Sequence, residues 1–253
     1  MNKLIRTPKE LDLMRQSGKI SACALKAAIS FTKPGVTLLE IESLVTEKIE
    51  SLGGSSAFKS VPGYKWTTCL SLNQEVVHGL PSARVLLSGD VLSIDLGTIY
   101  QGWYTDCAWT VVVGKNQDKK IEKFLRVGEE AMWRGVKQAY SENQVGDISQ
   151  AMQGVIEKAG FGVVKSLSGH GVGRSYHEEP EIPGFGKAKT GPKLYSGMTL
   201  AVESIYTAGT GDVYEAQDGW TITSSDKTLG GMFEMSLIVG ESGAEVITDW
   251  RKC

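Results

Sequence analysis

The sequence lacks the features that mark several large protein classes. No apolar run is long enough to span a membrane, and the N-terminal segment MNKLIRTPKE lacks the apolar core of a secretion signal. The 27 basic and 29 acidic residues give a net charge of −2, which provides no electrostatic surface for nucleic acid or an anionic membrane. These absences predict a cytoplasmic protein that binds neither membranes nor nucleic acid directly.

Cysteine is scarce and scattered along the chain. The four cysteines, Cys23, Cys69, Cys107 and Cys253, are far apart and form no CxxC pair. They are therefore poor candidates for a disulfide framework or a thiolate zinc site, and this usage is typical of a reducing cytosol.

The length and composition favour a single globular unit. A chain of 253 residues is long for one domain and short for two, and no low-complexity segment or obvious linker divides it. Hydrophobic residues make up 41% and charged residues 22%, as in ordinary globular proteins. We therefore predict one domain, residues 1–253.

Two helix starts stand out in the first quarter of the chain. Residues 7–10, Thr-Pro-Lys-Glu, combine an N-cap, a proline at the first helical position and a glutamate that can return a hydrogen bond to the cap. They predict a helix that runs to about Phe31. Residues 37–40 repeat this capping box and predict a second helix that ends at Gly53-Gly54.

Similar signals recur 110 residues later. A third helix start is predicted at Asp147, with an end at Gly160. Asp147 lies 110 positions after Thr37, as Gly128 does after Gly18, and both regions show a helix, a short connection and a capped second helix. We interpret this as an internal duplication of about 110 residues, with two unrelated helix pairs of equal spacing as the alternative.

The remaining segments have strand patterns. Residues 90–99 alternate, turn near Gln101-Gly102 and return over residues 103–113, which predicts a hairpin. Residues 200–206 and 232–239 are two further apolar strands. Strands grouped with helices, rather than a strict alternation of the two, indicate an α+β fold with a mainly antiparallel sheet.

Four acidic residues lie inside these predicted strands: Asp95, Asp106, Glu203 and Glu234. A lone buried carboxylate is costly or takes up a proton, and no basic residues are spaced to match these four. In the predicted hairpin, Asp95 lies diagonal to Asp106 on one face of the sheet. Because two divalent cations would cancel four negative charges, and prefer such oxygen donors, the pattern favours a metal centre.

The chain has three histidines, His78, His170 and His177, each in a short segment flanked by glycine or proline. The glycines beside His170 allow tight backbone conformations that let an imidazole point into a site. The HGxGxxxH spacing of residues 170–177 is weak by itself, because a lone histidine is more often structural. Together with the four strand carboxylates, it favours a metal site.

These segments resemble the type I methionine aminopeptidases, metallopeptidases of the pita-bread fold. The resemblance covers nearly the whole chain and is strongest over residues 71–81, 95–106, 170–180 and 218–221. It implies an α+β fold of two halves related by a pseudo-twofold axis, with a curved, mainly antiparallel sheet covered by helices. It also implies two divalent ions (cobalt, manganese, iron or zinc) held by five ligands: Asp95, Asp106, His170, Glu203 and Glu234.

The resemblance assigns a role to each ligand. Asp106 and Glu234 would bridge the two ions, Asp95 would chelate one of them, and His170 and Glu203 would complete the other. The ions would lower the pKa of a bridging water, so that hydroxide attacks the scissile carbonyl that they polarise. Glu203 would also act as the general base.

Further residues are implied to contact the substrate. His177 would stabilise the developing oxyanion, and His78 would bind or relay a proton at the scissile amide nitrogen. An apolar slot suits a methionine thioether, and the residues implied to line it are Tyr64, Cys69, Tyr176 and Trp220.

At four positions this chain differs from the pattern of the family that it resembles. Phe58 and Val61 stand where relatives carry a smaller and a larger residue, which affects the shape of the slot. Ser204 and Met235 follow the two glutamates, where proline and histidine are usual. We expect these departures to tune the activity rather than abolish it.

The implied activity is removal of the initiator methionine from nascent polypeptides, near the ribosome, by a monomeric enzyme. An X-Pro-cleaving peptidase of the same fold is an alternative with the same ligands, although such chains generally carry an added N-terminal domain. A noncatalytic binding protein on this fold is a second alternative, but such proteins typically lose ligands. A Ser-His-Asp hydrolase is disfavoured because the sequence has no GxSxG motif.

Overall fold

The computed structural model describes residues 4–115 and 117–253 of the chain. Within these residues the helices are α1 (Pro8–Phe31), α2 (Leu38–Ser51), α3 (Lys119–Val136) and α4 (Val145–Lys158). The strands are β1 (Ser55–Ser56), β2 (Thr68–Leu72), β3 (Glu75–Val77), β4 (Val91–Tyr100), β5 (Trp103–Val112), β6 (Gly162–Val163), β7 (Ser168–Gly171), β8 (Glu178–Pro183), β9 (Thr199–Thr207), β10 (Val213–Glu215), β11 (Ile222–Ser224), β12 (Gly230–Val239) and β13 (Ala244–Val246).

The first two helices begin at the predicted capping boxes. Thr7 Oγ1 accepts the backbone N–H of Glu10, and the Glu10 carboxylate accepts the N–H of Thr7 at 2.9 Å. Thr37 and Glu40 make the same reciprocal pair, with distances of 3.2 and 2.7 Å. Both predicted helices are therefore confirmed, because each cap satisfies backbone donors that the first helical turn leaves unpaired.

The third predicted helix start, at Asp147, corresponds to α4 and is wrong by three residues. The helix begins at Val145 with Gln144 as its N-cap, and the Asp147 carboxylate accepts the Gln144 N–H at 2.9 Å. Asp147 is thus the returning acid of the capping box and not the cap itself. The capping residues Thr37 and Gln144 are 107 positions apart rather than 110, and the internal duplication stays a prediction.

The main sheet has ten strands among the described residues. Its central order is β1-β4-β5-β12-β9-β7-β8, with β2, β13 and β6 paired to β4, β12 and β9, and these neighbours run antiparallel. The hairpin β4–β5 turns at Gln101 and Gly102, whose φ angles of 49° and 78° fit the type I′ turn that suits twisted strands. The predicted α+β fold and hairpin are confirmed.

The helices cover one face of this sheet. Helix α1 packs on β4 and β5, and α3 packs on β9 and β12. Alternate residues of β4, β5, β9 and β12 point toward the helices, so the intervening residues of these strands point to the opposite face of the sheet. The core residues on the helix side include Ile94, Leu96, Cys107, Trp109, Val202, Phe233 and Met235.

Gly128 allows α3 to approach this layer closely. A Cβ atom there would lie 2.3 Å from the ring and hydroxyl of Tyr206, which is fully buried and donates a hydrogen bond to Phe124 O. Because the tyrosine cannot move away cheaply, we expect Gly128→Ala to lower the free energy of unfolding by about 3 kcal/mol in chemical denaturation.

Gly154 on α4 is the matched control for that substitution. It is exposed, and a Cβ atom there would meet no atom of the described residues within 4 Å. Gly154→Ala should raise the free energy of unfolding by up to about 1 kcal/mol, because alanine has the higher helix propensity. Equal effects of the two substitutions would contradict the packing argument.

The prediction that the cysteines are poor disulfide candidates is wrong for one pair. Cys23 on α1 and the C-terminal Cys253 form a disulfide, with their Cα atoms 5.3 Å apart. The two residues are 230 positions apart, and only the packing of the C-terminal turn against α1 brings them together. Cys69 and Cys107 are free and buried.

Among the described residues, no helix combines the length and apolar character needed to cross a bilayer.

Candidate metal centre and substrate pocket

The strand register places the acidic residues in a row on the face away from the helices. Asp95 on β4 pairs with Ala108 on β5, Ala108 pairs with Glu234 on β12, and Glu234 pairs with Glu203 on β9. Paired residues in neighbouring strands point to the same face. Three carboxylates are thereby aligned across four adjacent strands.

Two further predicted ligands join this row by the two-residue period of the strands. Asp106 is two positions from Ala108, and His170 on β7 pairs with Ala201, two positions from Glu203. One ligand atom from each of Asp106, His170 and Glu234 lies within 4.8 Å of the other two, and His170 Nε2 is 4.0 Å from Asp106 Oδ2. The structure therefore groups these three tightly.

All five predicted ligands lie around one cavity of about 110 Å³, and His78 and His177, the histidines predicted to contact the substrate, also line it. The five ligands are each less than 8% exposed. The titratable residues lining the cavity are His78, Asp95, Asp106, His170, Tyr176, His177, Glu203 and Glu234.

Several carboxylate oxygens in this cavity are buried without a hydrogen-bond partner among the described residues. They are Asp95 Oδ1, Asp106 Oδ1 and both side-chain oxygens of Glu234. Buried polar atoms of this kind are rare in folded proteins, because leaving each unpaired is costly. These unpaired oxygens, and a donor set of four carboxylates and one imidazole, fit divalent metal ions.

The electrostatics of the protein alone point the same way. Burial raises the pKa of Asp106 to about 7, and burial together with the charge of Asp106 raises the pKa of Glu203 to about 8. Burial and neighbouring carboxylates also raise the pKa values of Asp95 and Glu234 well above their usual range. Divalent cations would remove this penalty by neutralising the cluster.

His170 is held in the form that a metal ion requires. Its Nδ1 lies 2.9 Å from the carbonyl oxygen of Gly171, which can only accept, so Nδ1 carries the proton and Nε2 presents a lone pair. Burial also lowers the pKa of His170 to about 4, which favours the neutral ring. Strand β7, in which Gly169 and Gly171 flank His170, sets the position of the imidazole ring.

The two other histidines lie on loops above the sheet. His78 has a left-handed backbone with φ 58°, directly after β3, and His177 directly precedes β8. The ring centroids of His170 and His177 are 4.2 Å apart. Burial lowers the pKa values of both His78 and His177, so both rings are neutral near pH 7.

An apolar cavity of about 120 Å³ adjoins the carboxylate cavity. One water needs roughly 10–15 Å³ by this measure, so the pocket has room for a small side chain. All four predicted slot residues line this pocket, and Asp95, His78 and His177 line both cavities. The lining residues are Phe58, Val61, Tyr64, Cys69, His78, Asp95, Tyr176, His177 and Trp220.

The four departures from the family pattern fall into two groups. Phe58 and Val61 line the pocket, and the Phe58 ring centroid is 5.3 Å from that of Tyr176. Ser204 and Met235 point to the helix side of the sheet, where Ser204 Oγ donates to Gly128 O at 2.9 Å and Met235 is fully buried. The first pair therefore contacts the site and the second pair does not.

The register also identifies a residue that the sequence analysis missed. Ala108 occupies the position between Asp95 and Glu234 in the carboxylate row and is fully buried. It packs in an apolar cluster with Val76, Ile205 and Met232, two of which line the cavity. An alanine inside an apolar strand carries no chemical signal, so only the pairing of three strands identifies it.

The chain is similar to known proteins over almost its full length. The model of metallopeptidase family M24 matches residues 12–241. The methionine aminopeptidase of Clostridium perfringens is 37% identical over 245 residues, which are 97% of this chain and 98% of that protein.

Solved structures show the same similarity. A methionine aminopeptidase from Thermotoga maritima superposes with a TM-score of 0.94 at 40% identity and covers 96% of this chain and 98% of its own. One from Rickettsia prowazekii has a TM-score of 0.93 at 34% identity, with 96% and 98% covered. The predicted family and pita-bread fold are confirmed, and the chain belongs to metallopeptidase family M24, which uses divalent metal ions.

Proposed function

We propose that this protein is a metal-dependent aminopeptidase that removes the N-terminal methionine from newly made polypeptides. The observation that carries the proposal is the cavity lined by carboxylates beside an apolar pocket that shares Asp95, His78 and His177 with it. The names of the similar proteins agree with this activity.

Five side chains would hold two divalent ions: Asp95, Asp106, His170, Glu203 and Glu234. Four carboxylates and one neutral imidazole balance the charge of two such ions, and the unpartnered oxygens of Asp95, Asp106 and Glu234 support this number. When bound, such ions supply a nucleophilic water at neutral pH and polarise the scissile carbonyl.

The remaining steps belong to the side chains. Glu203 accepts the proton of the attacking water, because its buried carboxylate lines the cavity that would hold the ions. His177 donates to the developing oxyanion, and His78 holds or relays a proton at the amide nitrogen.

The pocket selects the substrate side chain. Tyr64, Tyr176 and Trp220 present ring edges and faces, with Tyr64 and Trp220 centroids 4.9 Å apart, and a thioether packs well against such surfaces. Cys69 completes the wall beside the Tyr64 hydroxyl, which is 3.1 Å from its sulfur. The carboxylate cavity lies beside the pocket, where it can receive the free N-terminal amine of a substrate, so we propose an exopeptidase. We propose that the enzyme acts as a cytoplasmic monomer on nascent chains near the ribosome.

The first test compares Met-Ala-Ser and Ala-Pro-Ser peptides with metal-stripped protein, before and after manganese or cobalt is added back. Release of methionine alone, only with metal, supports the proposal. Release from the proline peptide would assign the protein to the X-Pro branch instead. No release from either peptide, with metal bound, would favour a binding protein.

His78→Ala is expected to slow methionine release by about 100-fold or more while the bound metal stays unchanged, because His78 acts on the substrate and not on the ions. Turnover is measured by peptide hydrolysis, and metal content by elemental analysis.

His78→Asn is the matched control for backbone strain. Asparagine tolerates the left-handed conformation that His78 adopts at φ 58°, whereas alanine does not. Both variants should lose activity equally, with the smaller loss of stability in the asparagine variant. Normal turnover in His78→Asn would show that the imidazole has no catalytic role.

A further inference from the structure

The N-terminal arm, residues 4–7, pairs through Ile5 with Met198, just before β9, and reaches the loop that joins β7 to β8. The Arg6 backbone N–H donates to Gly197 O at 2.9 Å, which fixes the arm beside β9. The loop, residues 172–177, carries two residues of the proposed site. The arm itself contributes no residue to the lining of either cavity.

The Arg6 side chain is buried beside this loop, with only 6% of its surface exposed. Its guanidinium contacts the Glu178 carboxylate, donates to Thr199 Oγ1 at 3.3 Å and lies 5.4 Å from the centroid of Trp103. A buried guanidinium needs an opposite charge to offset its desolvation, and Glu178 supplies it.

The second oxygen of the same carboxylate holds the loop. Glu178 Oε1 accepts the backbone N–H groups of Arg174 at 2.6 Å and Ser175 at 3.0 Å. One carboxylate therefore connects the arm to two consecutive amides of the loop through charge-assisted hydrogen bonds, which are stronger than neutral ones.

The loop is also fixed from its other side. Tyr104 N–H donates to Gly173 O at 2.7 Å, and the Arg174 guanidinium lies over Trp103 at 4.0 Å from the ring centroid. The next residues, Tyr176 and His177, enter the cavity, where their ring centroids lie 5.7 and 4.2 Å from that of His170.

We propose that Arg6 and Glu178 are positioning residues whose buried ion pair sets the place of His177 and Tyr176 over the metal ligands. The inference rests on the proposed function, since it concerns residues assigned to the reacting amide and the methionine pocket. A displacement of about 1 Å at a reacting group can lower the rate roughly 100-fold. The N-terminal arm thus controls the rate without contacting the substrate.

Arg6→Ala and Glu178→Gln separate this role from general stability. Glutamine still accepts the two loop amides but cannot form the ion pair with Arg6. Both variants should lower kcat by about 10- to 100-fold, with KM changed much less and metal content equal to the parent. Arg15→Ala, which removes an exposed ion pair between α1 and Glu245 on β13, should leave kcat unchanged.

Combining Glu178→Gln with His177→Ala tests whether the ion pair acts on kcat through His177. If the ion pair acts mainly through His177, Glu178→Gln should lower kcat little further in a His177→Ala protein. Equal fold-losses in the parent, His177→Ala and Tyr176→Ala backgrounds, parent kcat in Arg6→Ala, or a loss that only follows the metal content would each overturn the proposal.

A readout independent of hydrolysis uses the exposed Arg174 in the loop. Limited trypsin digestion should cut the Arg174–Ser175 bond faster in Arg6→Ala than in the parent, with cleavage elsewhere unchanged, as followed by mass spectrometry. Unchanged cleavage would overturn the positioning role whatever the enzyme hydrolyses. If Arg6→Ala is cleaved faster but the parent protein releases no methionine, the proposed function is refuted. The conclusion that the ion pair positions the loop would then still stand.

Discussion

Glu203→Ala is expected to lower methionine release by at least about 1000-fold, while part of the bound metal is retained. The substitution removes both a ligand and the proposed general base, whereas the other four ligands remain on their strands. Peptide hydrolysis and elemental analysis on the same sample measure the two effects. Turnover at the parent rate would refute the assignment of Glu203 as the base.

Thermal unfolding separates this effect from a loss of structure. The pKa of Glu203 is raised to about 8, mainly by burial, so the metal-free site is destabilised by each carboxylate that ionises there. Glu203→Gln keeps the size of the side chain and removes the charge. Its metal-free form should unfold a few degrees above the metal-free parent at pH 8, although its activity is lost. A lower unfolding temperature would mean that packing, and not charge, dominates at this position.

Removal of the metal ions is expected to abolish activity and to make stability fall as pH rises from about 6.5 to about 8.5. In this range the unfolded carboxylates are already ionised, whereas Asp106 and Glu203 ionise in the folded protein with pKa values of about 7 and about 8. Because both pKa values are raised on folding, the stability that they contribute at lower pH is lost as pH rises through them. Asp106 and Glu203 alone account for a loss on the order of 3 kcal/mol, and the raised pKa values of Asp95 and Glu234 act in the same direction.

The histidines do not oppose this trend within that range. Burial lowers the pKa values of His78, His170 and His177. Their protonation therefore changes the stability only at pH values below about 6.5. Unfolding curves of chelator-treated protein across this range, with and without added manganese, measure the effect. A metal-free protein as stable at pH 8.5 as at pH 6.5 would contradict the uncompensated burial of these carboxylates.

Local chemistry made the helices predictable. The capping boxes at Thr7 and Thr37 act within four residues, so they are visible without knowledge of the fold. At α4 the same motif was misread, because Gln144 occupies the N-cap in place of the more usual serine, threonine or aspartate. The 110-residue spacing between Thr37 and Asp147 consequently compared two different positions of the motif.

The carboxylates of the site were also predictable, because an acidic residue buried in an apolar strand needs a positively charged partner such as a metal ion. Asp95 and Asp106 could be placed on one face from the hairpin turn alone, since the turn at Gln101 determines the register of β4 and β5. Their distance from Glu203 and Glu234 could not, because pairing between β5 and β12 joins residues more than 120 positions apart.

The caps of α1 and α2, the hairpin register, the residue types of the proposed metal centre and the family to which the chain belongs could all be read from the amino-acid sequence. These depend on neighbouring residues or on the identity of individual side chains. Only the tertiary structure decided the row through Ala108, the buried pair of Arg6 and Glu178, and the disulfide between Cys23 and Cys253. Each of these joins distant segments through packing of the sheet, the N-terminal arm or the C-terminal turn, and no local pattern in the sequence specifies such contacts.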